Sequence, residues 1–162
     1  MPSFKEHLIQ VRSNWQALQL AFATECLDWQ ITICFYSAYH LLQAHFAKSG
    51  KHHVSHNEVK AATDPENKKS KTRLKADIFT AYEELQVLSR RARYLFDGRN
   101  PDRSKAYLID ETHAAAAIQH LNSIAVYFSK KYHLSFPKIM ITHSQTAAKL
   151  KQSLDYFEIG GK

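Results

Sequence analysis

Residues 29–46 read WQITICFYSAYHLLQAHF, a stretch without Lys, Arg, Asp, Glu, Gly or Pro. Wound as an α-helix, it presents apolar side chains on nearly every face, so it needs neighbours on several sides rather than one. Gln30, His40 and Gln43 interrupt it and make it too polar for a membrane span. The only way to cover such a helix with the rest of this chain is to pack other helices round it. The sequence is rich in Ala, Leu, Lys and Gln, and its four Gly and four Pro provide few turns for a many-stranded sheet. The expected fold class is all-α.

The flanking sequence supplies the partners. A first helix runs from about residue 3 to 24, with Ser3 as N-cap and Phe4, Leu8, Val11, Trp15, Leu18 and Phe22 at three- and four-residue spacing. The central helix starts near Asp28 and stops at Gly50, so the two form an antiparallel hairpin. After Lys51-His52-His53-Val54, Ser55 stands three residues before Glu58, the spacing of a capping box, and opens a short helix that Pro65 limits. A third long helix spans about 72–96, ending before Gly98. A loop with Asn100-Pro101 follows, then a fourth helix from Asp110 to about Tyr132. Beyond Pro137, the spacing of Ala147, Leu150, Leu154 and Phe157 predicts a C-terminal amphipathic helix over about 143–157. We therefore expect a bundle over 1–136 and an extension over 137–162 that packs on it or on a partner.

The formal charge is +7 with pI near 9.4. A basic surface concentrates polyanions, which makes RNA or a nucleotide the first partner class to test. Cys26 and Cys34 lie eight apart in an apolar helical stretch, too far apart for a disulfide within one helix, and read as small core residues of a reducing compartment. The opening residues Met-Pro-Ser-Phe-Lys-Glu-His do not form the apolar run of a signal peptide. The expectation is a cytoplasmic protein with no membrane partner.

Residues 89–96, Ser-Arg-Arg-Ala-Arg-Tyr-Leu-Phe, raise the functional question. On the third long helix, Ile78, Tyr82, Leu85, Leu88, Ala92 and Phe96 share the core face, while Arg90 and Arg93 lie on its flank with Asp97 one turn on. Tyr94 and Val87 project almost opposite the core. An aromatic and an aliphatic residue flanked by charge fit a surface that meets a second copy of the chain, or else one covered by the C-terminal helix. Guanidinium groups present a planar fork of donors matched to phosphate oxygens. A histidine beside them is what an RNA-cleaving site needs for proton transfer at ribose oxygens.

Residues 29–44, the His-rich turn with Ser55-His56, and residues 89–94 on the next long helix resemble, in pattern and order, the HEPN family of helical domains from prokaryotic toxins, nucleotidyltransferase partners and antiviral systems. The resemblance covers about residues 5–133. It implies a dimerising up-and-down helical bundle with an RNA- or nucleotide-facing cleft near the dimer seam. A nucleotidyltransferase or another defence-system protein is the protein partner it implies. Many members are metal-independent ribonucleases marked by Arg, four to six residues, then His. Here the positions where that His is due hold Leu95, Phe96, Asp97, Gly98, Arg99 and Asn100. The Arg half carries over to Arg90 or Arg91 and the His half does not, which leaves catalysis open. His40, His53 and His56 are the candidates for a displaced histidine, His40 more naturally as a hydrogen-bonded core residue.

The binding residues expected are thus Arg90, Arg91, Arg93 and Tyr94, with Lys68, Lys69, Lys71 and Arg73 of an exposed basic loop widening the footprint along a nucleic-acid backbone. Candidate catalytic residues are Arg90, Arg91, His56 and His40. No cofactor is expected. His52, His53 and His56 are close in sequence, but no fourth zinc ligand is supplied nearby, so no metal site is expected either. Three readings follow: a dimeric RNA- or nucleotide-binding module of a prokaryotic defence or toxin–antitoxin type system, a metal-independent ribonuclease with a displaced His, and a protein-interaction module whose arginines pair with a partner's carboxylates.

Overall fold

The structure is a computed structural model and describes residues 1–95 and 108–160. Phe96, Asp97, Gly98 and the Asn100-Pro101 loop lie outside them. In chain order the elements are α1 (Phe4–Ala21), α2 (Leu27–Lys48), α3 (His56–Thr63), α4 (Ala76–Tyr94), α5 (Glu111–Tyr132), β1 (Ile139–Ile141), α6 (Ser144–Leu150) and β2 (Phe157–Ile159). The architecture is the expected all-α bundle.

α2 is the central helix, packing against α1, α4 and α5, while α4 and α5 pack on each other. Ile31, Cys34, Phe35, Ala38, Leu41, Leu42 and Phe46 are all buried, on faces that meet Trp15 and Leu18 of α1, Tyr82 and Leu85 of α4, and Leu121 and Phe128 of α5. The polar residues that break the apolar run have structural partners. Gln30 donates to the carbonyls of Ala21 and Thr24, satisfying the C-terminal end of α1 and fixing the α1–α2 turn. Gln43 donates to the carbonyl of His53. No helix among the described residues is long and apolar enough to cross a membrane.

Local chemistry sets the helix starts. Ser3 and Glu6 form a reciprocal capping box at α1, Ser55 and Glu58 another at α3, and Asp110 accepts from the Thr112 and His113 amides at α5. α4 begins at Ala76 rather than near 72, because residues 71–75 form turn and irregular chain that draws Thr72 and Leu74 into the core. Cys26 is exposed as the N-cap residue of α2 and is not a core residue; Cys34 is buried, and burial pushes its thiol well above the ordinary cysteine range.

The C-terminal extension departs from the expected helix over 143–157. α6 is short, ends at Leu150, and gives way at Lys151 to left-handed backbone (φ 67°). Leu154 and Phe157 reach the core from irregular chain and from β2, which pairs in parallel with β1 in the register Ile139 with Phe157 and Ile141 with Ile159. The extension is bound to the bundle by specific bonds. Trp15 Nε1 donates to the Pro137 carbonyl at 2.8 Å, Thr142 Oγ1 to the Phe22 carbonyl at 2.6 Å, and the Tyr156 amide to Asn122 Oδ1 at 3.1 Å. Both sheet edges are occupied: Gln19 engages the Met140 backbone, while the Leu154 amide and Ser153 hydroxyl bond to β2.

Leu95, His133 and Lys151 hold non-glycine backbone at positive φ, each capping a helix. The exposed His133 (φ 53°) makes the cleanest test of this strain. We expect His133→Gly to raise stability by roughly 0.5–1 kcal/mol in urea unfolding, the relief of left-handed strain being partly offset by the freer unfolded chain.

Candidate functional site

α3 and α4 enclose a cleft of about 390 Å³ whose lining includes His56, Asn57, Lys60, Glu83, Val87 and Arg90. The capping box places His56 at the first position of α3, because the Ser55 hydroxyl accepts from the Glu58 amide while the Glu58 carboxylate accepts from the Ser55 and Val54 amides. Its ring lies 5.9 Å from Phe35 and 6.4 Å from Tyr39, both on α2. Nδ1 is buried without a hydrogen-bond partner. Burial first, then the positive charges of Arg90 and Arg93, hold the His56 imidazole below the ordinary histidine range. Both effects favour the neutral imidazole, the form that a general base requires.

The three arginines of residues 89–96 diverge in environment. Arg90 is exposed at the cleft and makes no hydrogen bond or ion pair among the described residues. Arg93 is held in place: it donates to the Ser89 carbonyl and the Tyr36 hydroxyl, each at 3.2 Å. Its guanidinium carbon lies 5.1 Å from the Tyr94 ring, 5.6 Å from Tyr36 and 5.9 Å from Phe35. Arg91 is half-buried and donates to the Leu108 carbonyl at 3.0 Å, tying the start of the segment before α5 to the end of α4.

Arg90, Arg93 and His56 thus share one electrostatic neighbourhood, with Tyr94 (66% exposed) and Tyr36 (40% exposed) beside Arg93. The cleft is polarised along α4. At the other end Glu83 is paired with Lys60 at 2.5 Å, and Glu84 lines the cleft beside it, so that end is acidic. Tyr94 is not covered by the C-terminal helix, since α6 packs on α5 and β1.

His40 lies elsewhere. Its Nδ1 meets His7 Nδ1 at 3.2 Å, so one ring donates and the other accepts, and burial pushes His40 down to about 4. The adjacent histidines of the turn also splay: His52 stacks on His7, His53 sits edge-on to Phe46, and His56 faces α2. Among the described residues no group of three or more His, Cys, Asp or Glu could hold a metal ion.

The basic loop is more ordered than its composition implies. Ser70 and Thr72 donate to the Ala62 carbonyl, and the Leu74 amide donates to the Thr63 carbonyl. Ser70, Thr72 and Leu74 point inward, so Lys69, Lys71, Arg73 and Lys75 alternate outward, with Lys68 exposed as well. His56, Asn57 and Lys60 of α3 face the cleft, whereas Glu58, Ala61 and Ala62 face Lys69 and Ser70. α3 therefore divides the loop from the arginine site. Sequence spacing had no means of revealing that division, because it arises from the turn at residues 64–75. No protein-family model matches the chain, and neither a curated protein nor a solved structure matches it.

Proposed function

We propose that this chain is an RNA- or nucleotide-binding module of HEPN type, acting as a homodimer in a prokaryotic defence or toxin–antitoxin type system. The observation that carries the reading is Arg90, which makes no hydrogen bond or ion pair among the described residues, beside His56 and the pre-positioned Arg93. Arg90 offers its full fork to a phosphate, and Arg93 offers the donors left over from Ser89 and Tyr36. Tyr94 and Tyr36 provide faces on which bases stack beside the backbone-binding charges. The outward basic residues of the 64–75 loop extend contact to flanking phosphates across α3. Trp29 (65% exposed) and Ile33, one turn apart on α2, form an apolar patch suited to a second copy. A nucleotidyltransferase or another defence-system protein is the further partner in keeping with this reading.

The neutral His56 beside two arginines favours a second reading, a metal-independent ribonuclease with a displaced histidine. His56 takes the proton from a ribose 2′-hydroxyl as that oxygen attacks the adjacent phosphorus; the P–O5′ bond breaks, leaving a 2′,3′-cyclic phosphate and a 5′-oxygen that takes a proton from water, while the guanidinium groups stabilise the charge gathering on the phosphoryl oxygens.

One experiment separates these. Labelled single-stranded RNA is incubated with the protein in EDTA, and binding is measured across a salt series. Binding that weakens linearly with log salt, with a slope shallower by about 0.7 in Arg90→Ala, supports the module. Cleavage that falls by about 10²-fold or more in His56→Ala supports the enzyme. Absence of binding to RNA or mononucleotides at low salt rejects both.

A further inference from the structure

A second cavity, of about 570 Å³, lies between α1 and residues 135–139 and shares no lining residue with the arginine cleft. Its apolar wall comes from Trp15, Leu20, Phe136, Pro137 and Ile139. That wall is rigid: the Trp15 indole donates to the Pro137 carbonyl and stacks on Phe136 with ring centroids 5.0 Å apart. On the α1 side Arg12, Gln16 and Gln19 recur at four- and three-residue spacing along one face. Gln19 is committed to the Met140 backbone, and Lys138 is paired with Glu158 at 2.9 Å. Arg12 is exposed and has no hydrogen bond or ion pair among the described residues. Among the described residues no carboxylate lines the cavity.

We propose that this cavity binds a small apolar acid, its aliphatic or aromatic body against Phe136, Pro137 and Leu20 and its anionic group on Arg12. The volume falls within the range of small-molecule sites, and the combination of an apolar wall, one uncompensated cation and a side-chain amide is what fixes the orientation of such a ligand. A neutral hydrocarbon leaves Arg12 unused, and a polyanion finds too much apolar wall. The proposal is independent of the RNA reading, since it draws on α1 and the extension alone.

The test uses the full chain with Trp29→Phe, which leaves Trp15 as the only one of the two tryptophans. Trp29 is exposed and phenylalanine keeps an aromatic ring on the α2 patch, so the fold of each chain, and with it the α1 cavity, is expected to be retained. Titration with 1-anilinonaphthalene-8-sulfonate is expected to quench Trp15 saturably with one probe per chain. Octanoate displaces the probe, 1-octanol at equal concentration does not, and Arg12→Gln weakens probe binding about tenfold. Calorimetry of octanoate with the wild-type chain gives the same reading without a tryptophan change. A signal that never saturates, equal displacement by octanol, or unchanged affinity in Arg12→Gln overturns the proposal.

Discussion

Replacing Arg90 and Arg93 together by alanine is expected to lower affinity for single-stranded RNA about a hundredfold or more at 0.1 M salt. A hydrogen bond to a charged group contributes about 1.5–3 kcal/mol, and the pair acts on one phosphate neighbourhood. Arg93→Ala also removes the cation held against Phe35, Tyr36 and Tyr94, so part of its effect passes through the aromatic residues it orders. The lysine versions separate charge from geometry: Arg90→Lys keeps the charge but loses the planar fork, and is expected to recover only part of the affinity. Lys69→Ala with Lys71→Ala should cost only severalfold and chiefly reduce the salt slope, because those side chains are solvated and separated from the cleft by α3. Equal losses from the two pairs, measured by fluorescence anisotropy, would place the binding energy in diffuse charge instead of in the cleft.

The second large effect is on stability in mild acid. His45 is buried between α2, α5 and the 64–75 loop, with Nδ1 2.5 Å from the Tyr132 hydroxyl and Nε2 3.1 Å from the Thr72 carbonyl. A carbonyl only accepts, so Nε2 carries the proton and Nδ1 accepts from Tyr132. Burial first, then the nearby Lys131 charge, pushes His45 down to about 4 despite the opposing pull of Thr72. The folded value lies below the unfolded one of 6.5, so the unfolded chain binds the proton more readily. Stability is therefore complete above pH 6.5 and is lost as pH falls from there toward 4. His45 alone accounts for up to about 3 kcal/mol of that loss. The partly exposed His40 shifts in the same direction and adds about 1 kcal/mol after allowance for solvent screening. Urea unfolding at pH 7 and pH 4.5 should show the loss, and His45→Gln should flatten it. A midpoint that does not move over this window would contradict the assignment.

Where local chemistry decides structure, the sequence was readable. Ser3 with Glu6, Ser55 with Glu58 and Asp110 start their helices as their side chains require, and the uncharged run on α2 became the central helix. The C-terminal extension was harder to read for a physical reason. Ala147, Leu150, Leu154 and Phe157 match a helical period, yet Lys151 turns the chain and Phe157 is buried as a strand residue against Trp15 and Phe22. Parallel pairing of two three-residue strands is a non-local event that no window along the chain contains. The site shows the same division. The flank carrying Arg90 and Arg93 followed from helical spacing, but placing His56 and not His40 beside it required the cleft between α3 and α4 and the pairing of His40 with His7. Arg91 points to Leu108 because of where the segment before α5 runs, which lies beyond any local pattern.

The central claim is that His56 and the arginines of α4 form one electrostatic unit. Imidazole NMR of His56, followed against pH in the wild type and in Arg90→Ala, with and without uridine 3′-monophosphate, measures this directly. We expect His56 to titrate below the ordinary histidine value in the free protein, to rise on removal of Arg90, and to rise when the phosphate neutralises the guanidinium groups. A His56 titration unchanged by Arg90→Ala and by the nucleotide would contradict it.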